Sequence, residues 1–136
     1  MLKKLSIVEL HAAIQNKVEQ KTGLQCYDEV PEDEPAPFYF AEIISKRPEN
    51  TKTMWCEVFT VHIHVIAEKT KGSVAVYELI KKLEEAMTEY IQLPDYVDLL
   101  MQTEQGMQNL KTDDTGERHA IMAYEFKVCY GFRTKV

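Results

Sequence analysis

The sequence predicts an α+β two-layer sandwich, a mainly antiparallel sheet with two amphipathic helices packed on one of its faces. Three observations carry this. Apolar residues recur at three- and four-residue intervals over 5–22 and 73–90, the period of a helix buried along one stripe. Alternating apolar and polar residues over 54–68 and 120–132 have the period of a strand with two unlike faces. The resulting order is helix, three strands, helix, two strands, with long hairpins and too few helices to cover both sheet faces.

The first helix spans Leu5 to Thr22. Ser6 followed by Glu9 reads as a capping box, and Gly23 as a left-handed stop. Ile7, His11, Ile14 and Val18 form its buried stripe. Leu24 to Tyr27 is a short strand, followed by an acidic loop from Asp28 to Ala36. Pro31, Pro35 and Pro37 deny that segment backbone donors and hold it extended. Pro37 opens a strand from Phe38 to Lys46, and a charged turn leads to a longer one, Met54 to Glu68. Along it Trp55, Phe59, Val61, Ile63, Val65 and Ala67 point one way, with Glu57 the exception. Cys56, Val58, Thr60, His62, His64 and Ile66 point the other way. One face therefore packs on helices, and the other is wet or meets a partner.

After a turn at Lys69 to Gly72, Ser73 caps a second helix running to about Tyr90. Its stripe is Val76, Ile80, Leu83, Met87 and Tyr90, and Pro94 prevents extension. Val97 to Leu110 is a less regular strand with a bulge or bend at Gly106. Asp113, Asp114 and Gly116 mark a turn between strands. The last strand sets Ala120, Met122, Tyr124, Phe126, Val128, Tyr130 and Phe132 on one face, with Ile121, Ala123, Glu125, Lys127 and Cys129 on the other.

At 136 residues the chain reads as a single domain, 1–136, able to bury roughly two-thirds of its unfolded surface without disulfide or metal. The net charge of -6 argues against a protein whose main affinity comes from neutralising nucleic-acid phosphates. It leaves room for a local basic set, Lys46, Arg47 and Lys52 with Lys69 and Lys71. Cys26, Cys56 and Cys129 are odd in number, widely spaced and placed in strands, and read as free, partly buried thiols in a reducing cytosol. No apolar run approaches the ~20 residues of a membrane helix, and the N-terminus lacks the apolar core of a signal peptide. The expectation is a soluble, cytoplasmic protein.

Candidate chemistry is sparse. His62-Ile63-His64 sets two imidazoles on one strand face and could offer two ligands to zinc or copper, with His119, Cys129 or Cys56 as a third. The plainer reading, two histidines on a half-exposed face, is preferred, and no metal ligand is assigned. His11 lies on a helical stripe with no partnered nucleophile, so it reads as a packed histidine. Asp28, Glu29, Glu32, Asp33 and Glu34 are dense, but three prolines and no glycine do not make a calcium loop. The acidic loop is either simply solvated or pairs with Lys46, Arg47 and Lys52 of a neighbouring copy, fixing register. The face carrying Val58, Thr60, His62 and His64, with Ile121 and Ala123, is the candidate partner surface.

The segment YDEVPEDEPAPFYFAEI after an amphipathic helix and a short strand resembles the tail-completion, or tail-terminator, proteins of long-tailed bacteriophages. The matching positions are Val30-Pro31, Pro37-Phe38-Tyr39 and Glu42. They are followed by a charged turn, the long strand with Glu57-Val58-Phe59-Thr60-Val61-His62-Ile63-His64-Val65, a helix, and a late turn with Asp113, Gly116, Arg118 and His119. The resemblance spans nearly the whole chain, and its motifs are architectural. It implies a small structural subunit without catalytic residues or cofactors. That subunit forms a ring, typically of six, on the tail tube, and joins it to the head connector in the virion. A ring needs a heterologous interface, two unlike patches on each subunit. The expected interface residues are Glu32, Asp33, Glu34, Lys46, Arg47, Lys52, Val58, His62, His64 and Ile121.

Two other classes compete. A head-completion or connector role would use the same architecture, since fold does not place a protein in the particle. A metal enzyme built on His62, His64 and His119 would retain stoichiometric zinc, lost in His62→Ala. A ligand pocket between helices and sheet is disfavoured, because the aromatic stripe Tyr124, Phe126, Tyr130 and Phe132 offers no convergent polar groups.

Overall fold

A computed structural model describes residues 1–69 and 72–133. The elements run α1 (Ile7–Thr22), β1 (Cys26–Tyr27), β2 (Phe38–Pro48), β3 (Met54–Ala67), α2 (Val74–Ala86), β4 (Asp98–Thr112) and β5 (Arg118–Phe132). The strands form one five-stranded sheet in the order β1-β2-β3-β5-β4. The β1–β2 pair is parallel and the other pairs are antiparallel. Both helices cover the same face, so the architecture is the predicted α+β layering. Lys71 of the predicted basic set, and part of the 69–72 turn, lie outside the described residues.

The helix-side core joins Leu10, Ile14 and Val18 of α1 and Val76, Leu79 and Leu83 of α2 to one face of the sheet. That face carries Tyr39, Phe59, Val61, Ile63, Val65, Ala120, Met122, Tyr124, Phe126 and Val128. Phe59 and Phe126 stand directly opposite each other across β3 and β5. Tyr39 Oη donates to the Leu79 carbonyl at 2.7 Å, tying the sheet to α2. Tyr124 Oη is buried with no hydrogen-bond partner among the described residues. Tyr124→Phe is therefore expected to leave stability unchanged or raise it by up to about 1 kcal/mol, because the orphaned hydroxyl loses its water on folding and gains nothing. A clear drop in the thermal midpoint would contradict this.

The capping box on α1 is present in full, with Ser6 Oγ accepting from the Glu9 amide at 3.0 Å and Glu9 Oε1 from the Ser6 amide at 3.1 Å. Gly23 closes the helix at φ +77° and donates to the Glu19 carbonyl at 3.0 Å. The buried stripe is rotated from the expected one. Leu10, Ala13, Ile14, Lys17 and Val18 are buried, whereas Ile7 is 46% exposed. Ile14 and Val18 belong to both possible stripes, and His11 is turned sideways to donate from Nε2 to the Ala41 carbonyl at 2.9 Å. Buried Lys17 reaches Glu89 at 3.6 Å.

The second helix is shorter than expected, and the Ser73 hydroxyl makes no cap hydrogen bond. It buries Val76, Leu79, Leu83 and Ala86, with Ile80 only partly covered and Tyr90 exposed. The segment just beyond its end is held by β4: Gln102 Nε2 donates to the carbonyls of Met87 and Glu89 at 2.9 and 2.8 Å, and its Oε1 accepts from the Ile91 amide at 2.9 Å. Those carbonyls are satisfied without another helical turn.

Gly106, at φ +94°, sits at one of three register shifts in β4, as the bend predicted there requires. A further irregularity at Trp55/Cys56 leaves Tyr130 of β5 without a Cα partner on β3, where Cys56 faces Cys129 and Trp55 faces Gly131. The extra residue reverses the alternation beyond it, so Phe132 is 81% exposed and leaves the core stripe expected for it. Glu57 does occupy the core face. It is buried because Tyr130 Oη donates to its Oε1 at 2.6 Å and Lys46 Nζ lies 3.8 Å from its Oε2.

Candidate functional site

Among the described residues no helix covers the second sheet face, yet it is not uniformly polar. Phe38, Cys56, Val58, Ile66, Ala123 and Cys129 are buried on it, outside the helix-side core cluster. Phe40, His62, His64 and Ile121 are half-buried between them. Alternation explains the membership: residues flanking each core-facing strand position must point outward. Longer polar side chains shield part of the apolar floor. Arg47, Glu125, Lys127 and Met101 line a hollow over Val58, and Arg47 Nη2 reaches Glu125 Oε2 at 3.5 Å.

At one end of this face four polar groups form a chain across three strands and a turn. Glu42 Oε1 lies 3.1 Å from His64 Nε2, His64 Nδ1 lies 2.7 Å from His119 Nε2, and His119 Nδ1 lies 3.6 Å from Asp113 Oδ1. Register produces this chain. Phe40 and Ile121 flank His64 on either side, and His119 is opposite Ile66, one outward position further on, so His64 and His119 meet diagonally. The His64 ring packs on Phe40 at a centroid distance of 4.9 Å.

At 2.7 Å only one of the two facing ring nitrogens can carry the hydrogen between them, so the two rings cannot both be imidazolium. Burial first, and then the neighbouring His64, lower the pKa of His119, helped by Lys111 and opposed by Asp113. The sign follows. The unfolded ring binds a proton below about pH 6.5, which the folded one resists, so this contribution to stability is complete above that pH. It is lost as pH falls toward the lower folded value. Urea denaturation is expected to show a lower midpoint at about pH 5.5 than at about pH 7.5, with the gap narrowed in His119→Gln. Equal midpoints in the parent chain would refute it.

The residues expected at an interface fall in three places. Glu32 and Asp33 are exposed on the acidic loop, with Asp33 at φ +59°. Glu34 is partly covered and accepts from Tyr27 Oη at 2.6 Å. These lie at the sheet end where β2 begins, beside Glu68, Lys69, Thr115 and Glu117. Lys46, Arg47 and Lys52 lie toward the opposite end, and the run of β2 from Phe38 to Lys46 separates the two groups by roughly 26 Å. Lys46 and Arg47 also fall on opposite sheet faces: Lys46 pairs with the core-side Glu57, and Arg47 with the outward Glu125. Val58 is buried, and His62, His64 and Ile121 are half-buried on the open face. Among the described residues no group of three His, Cys, Asp or Glu side chains is placed to hold a metal ion. His62 and His64 share the half-exposed face as their spacing predicts, but the ring contact is His64–His119; Glu42 and Asp113, noted in the sequence as a strand and a turn position, carry no signal there for this contact.

A family model described as "Putative tail termination protein" matches residues 1–136. The chain belongs to this tail-termination family. It is a structural protein of the bacteriophage tail, and its place is the virion. A solved structure titled "Virion of native gene transfer agent (GTA) particle" has the same fold, with a TM-score of 0.69 at 15% identity, covering 93% of this chain and 99% of that one. No curated protein matches the chain. No helix among the described residues is long and apolar enough to cross a membrane.

Proposed function

We propose that this tail-termination protein, as one domain over 1–136, caps the tail tube as a closed ring, with six subunits expected, and joins the tube to the head connector. The observation that carries the reading is the open sheet face. It keeps Ile121, Phe40, His62 and His64 half-exposed over buried Val58, Ile66 and Ala123, with no second layer on it among the described residues. In a member of a tail-termination family, a half-apolar face of this kind suits a neighbouring subunit or the tube.

The two ends of the sheet support the second half of the proposal. The end formed by the acidic loop and the β4–β5 turn gathers Glu32, Asp33, Glu34, Glu68, Asp113, Asp114 and Glu117 against Lys69 and Arg118. The other end, around 49–53, carries Lys52 and Glu49, with Arg47 near it. Two unlike ends fit a ring with one rim on the tube and the other on the connector, and charge of this kind selects partners more than it adds affinity. Sedimentation velocity of the chain, alone and mixed with its tail tube protein, tests the reading. A ring-sized species, or a stoichiometric complex on tube ends that halts tube growth, is expected. A chain that stays monomeric, leaves tube growth unaltered and binds only connector would replace the reading with head completion.

A further inference from the structure

Cys56 and Cys129 face each other across the two central strands, and the function proposed above does not use them. They are direct Cα partners between β3 and β5, and both are buried. The Cys56 amide donates to Asn50 Oδ1 at 2.8 Å, and its carbonyl accepts from the Glu49 amide at 2.9 Å, both in the β2–β3 turn. Both backbone groups of Cys56 therefore point away from β5. That makes Cys56–Cys129 a non-hydrogen-bonded antiparallel pair, the close type with Cα atoms about 4.5 Å apart. Disulfides span Cα separations of roughly 4.4–6.8 Å, so the pair lies at the short limit of what can be bridged without moving the backbone.

We propose that Cys56 and Cys129 form a redox-labile cross-strand disulfide that fastens β3 to β5 when the protein meets a low-molecular-weight disulfide. One Cys thiolate attacks the disulfide RSSR, giving a protein–SR mixed disulfide and one RS⁻. The second thiolate then attacks the protein sulfur and expels another RS⁻. Two protein thiols are oxidised, one RSSR is reduced to two thiols, and the protons lost from the cysteines end on them. The reagent has a route in: Cys56 and Cys129 lie within a few residues of Met54, which begins β3, and Phe132, which ends β5, so fraying of that corner uncovers them. Burial, and then the adjacent Cys129, raise the pKa of the Cys56 thiol, which makes the exchange slow at neutral pH and faster as pH rises. A short, strained bridge is also easily reduced, so it opens in a reducing cytosol and closes outside one. Cys26 is an internal control: it belongs to the helix-side core, on the other side of the sheet, and stays a thiol.

The test uses the unaltered chain. After incubation with oxidised glutathione, it is acid-quenched, denatured and alkylated with N-ethylmaleimide. The expected result is one adduct, on Cys26, with a Cys56–Cys129 peptide in the digest, where the reduced chain, with its three cysteines, takes an adduct on each. Closure should run at least about tenfold further in the folded chain than in urea at the same glutathione ratio, since the fold holds the partners together. Cys56→Ser and Cys129→Ser should each leave a stable glutathione adduct on the remaining cysteine. Three alkylated cysteines, a bridge to Cys26, or glutathione left unresolved on the parent chain would each overturn the proposal.

Discussion

Truncation of Phe59 to alanine is expected to destabilise the folded chain by about 3–5 kcal/mol, enough to consume a large part of a typical domain's stability. Phe59 is fully buried on β3, opposite the equally buried Phe126, beneath the layer formed by α1 and α2. The loss has two parts, the transfer free energy of the ring and the cavity left behind. The cavity cannot collapse readily here, because β3 is paired along its length on both sides and cannot shift without breaking two ladders. Phe59→Leu, which keeps most of the volume, should cost clearly less. Urea unfolding of the three chains measures this, and an alanine variant within about 1 kcal/mol of the parent would show that Phe59 is not central to the core.

The largest expected effect on assembly belongs to Ile121→Lys. Ile121 is half-buried on the open face, between His64 of β3 and Asn109 of β4. A lysine there can lift its ammonium into water in the free subunit, so the thermal midpoint should move by only a few degrees. In an assembled ring that covers this face, the same charge would be stripped of water. The expected penalty of about 2 kcal/mol or more weakens association by roughly thirtyfold, read as loss of the ring-sized species in sedimentation velocity. Val58→Glu is a poorer probe, because Val58 is buried in the subunit itself and the variant would harm folding and assembly together. If Ile121→Lys assembles as the parent does, the open face is not the interface.

Much of this architecture was legible locally. The Ser6–Glu9 capping box and Gly23 stop rest on contacts within a few residues, and each appears in the structure as read. The alternation of β3 from Val58 to Ala67, the bend at Gly106 and the turn around Gly116 are likewise short-range consequences of side-chain period and glycine freedom. The resemblance to tail terminators drew on the ordered combination of such features, and the family match over 1–136 bears it out.

Other features are decided by residues distant in sequence. Phe132 leaves the core because a bulge two residues earlier reverses the alternation, and a bulge is a relation between two strands that neither encodes alone. The second helix ends at Ala86, four residues before Tyr90, and Gln102 of β4 holds the carbonyls of Met87 and Glu89 just beyond that end. His62 and His64 do share a half-exposed strand face, as their spacing predicts. What spacing does not reveal is the contact of His64 with His119, fifty-five residues away. Lys46 and Arg47, read as one basic patch, point to opposite faces because neighbouring strand residues must. The sequence by itself determined the existence of the helices and strands, the caps of the first helix and the identity of the family, all of which rest on local period and turn chemistry. Tertiary structure alone decided strand order and register, and through them the Glu42–His64–His119–Asp113 chain and the Cys56–Cys129 pair, because lateral neighbours in a sheet are chosen by packing between segments far apart along the chain.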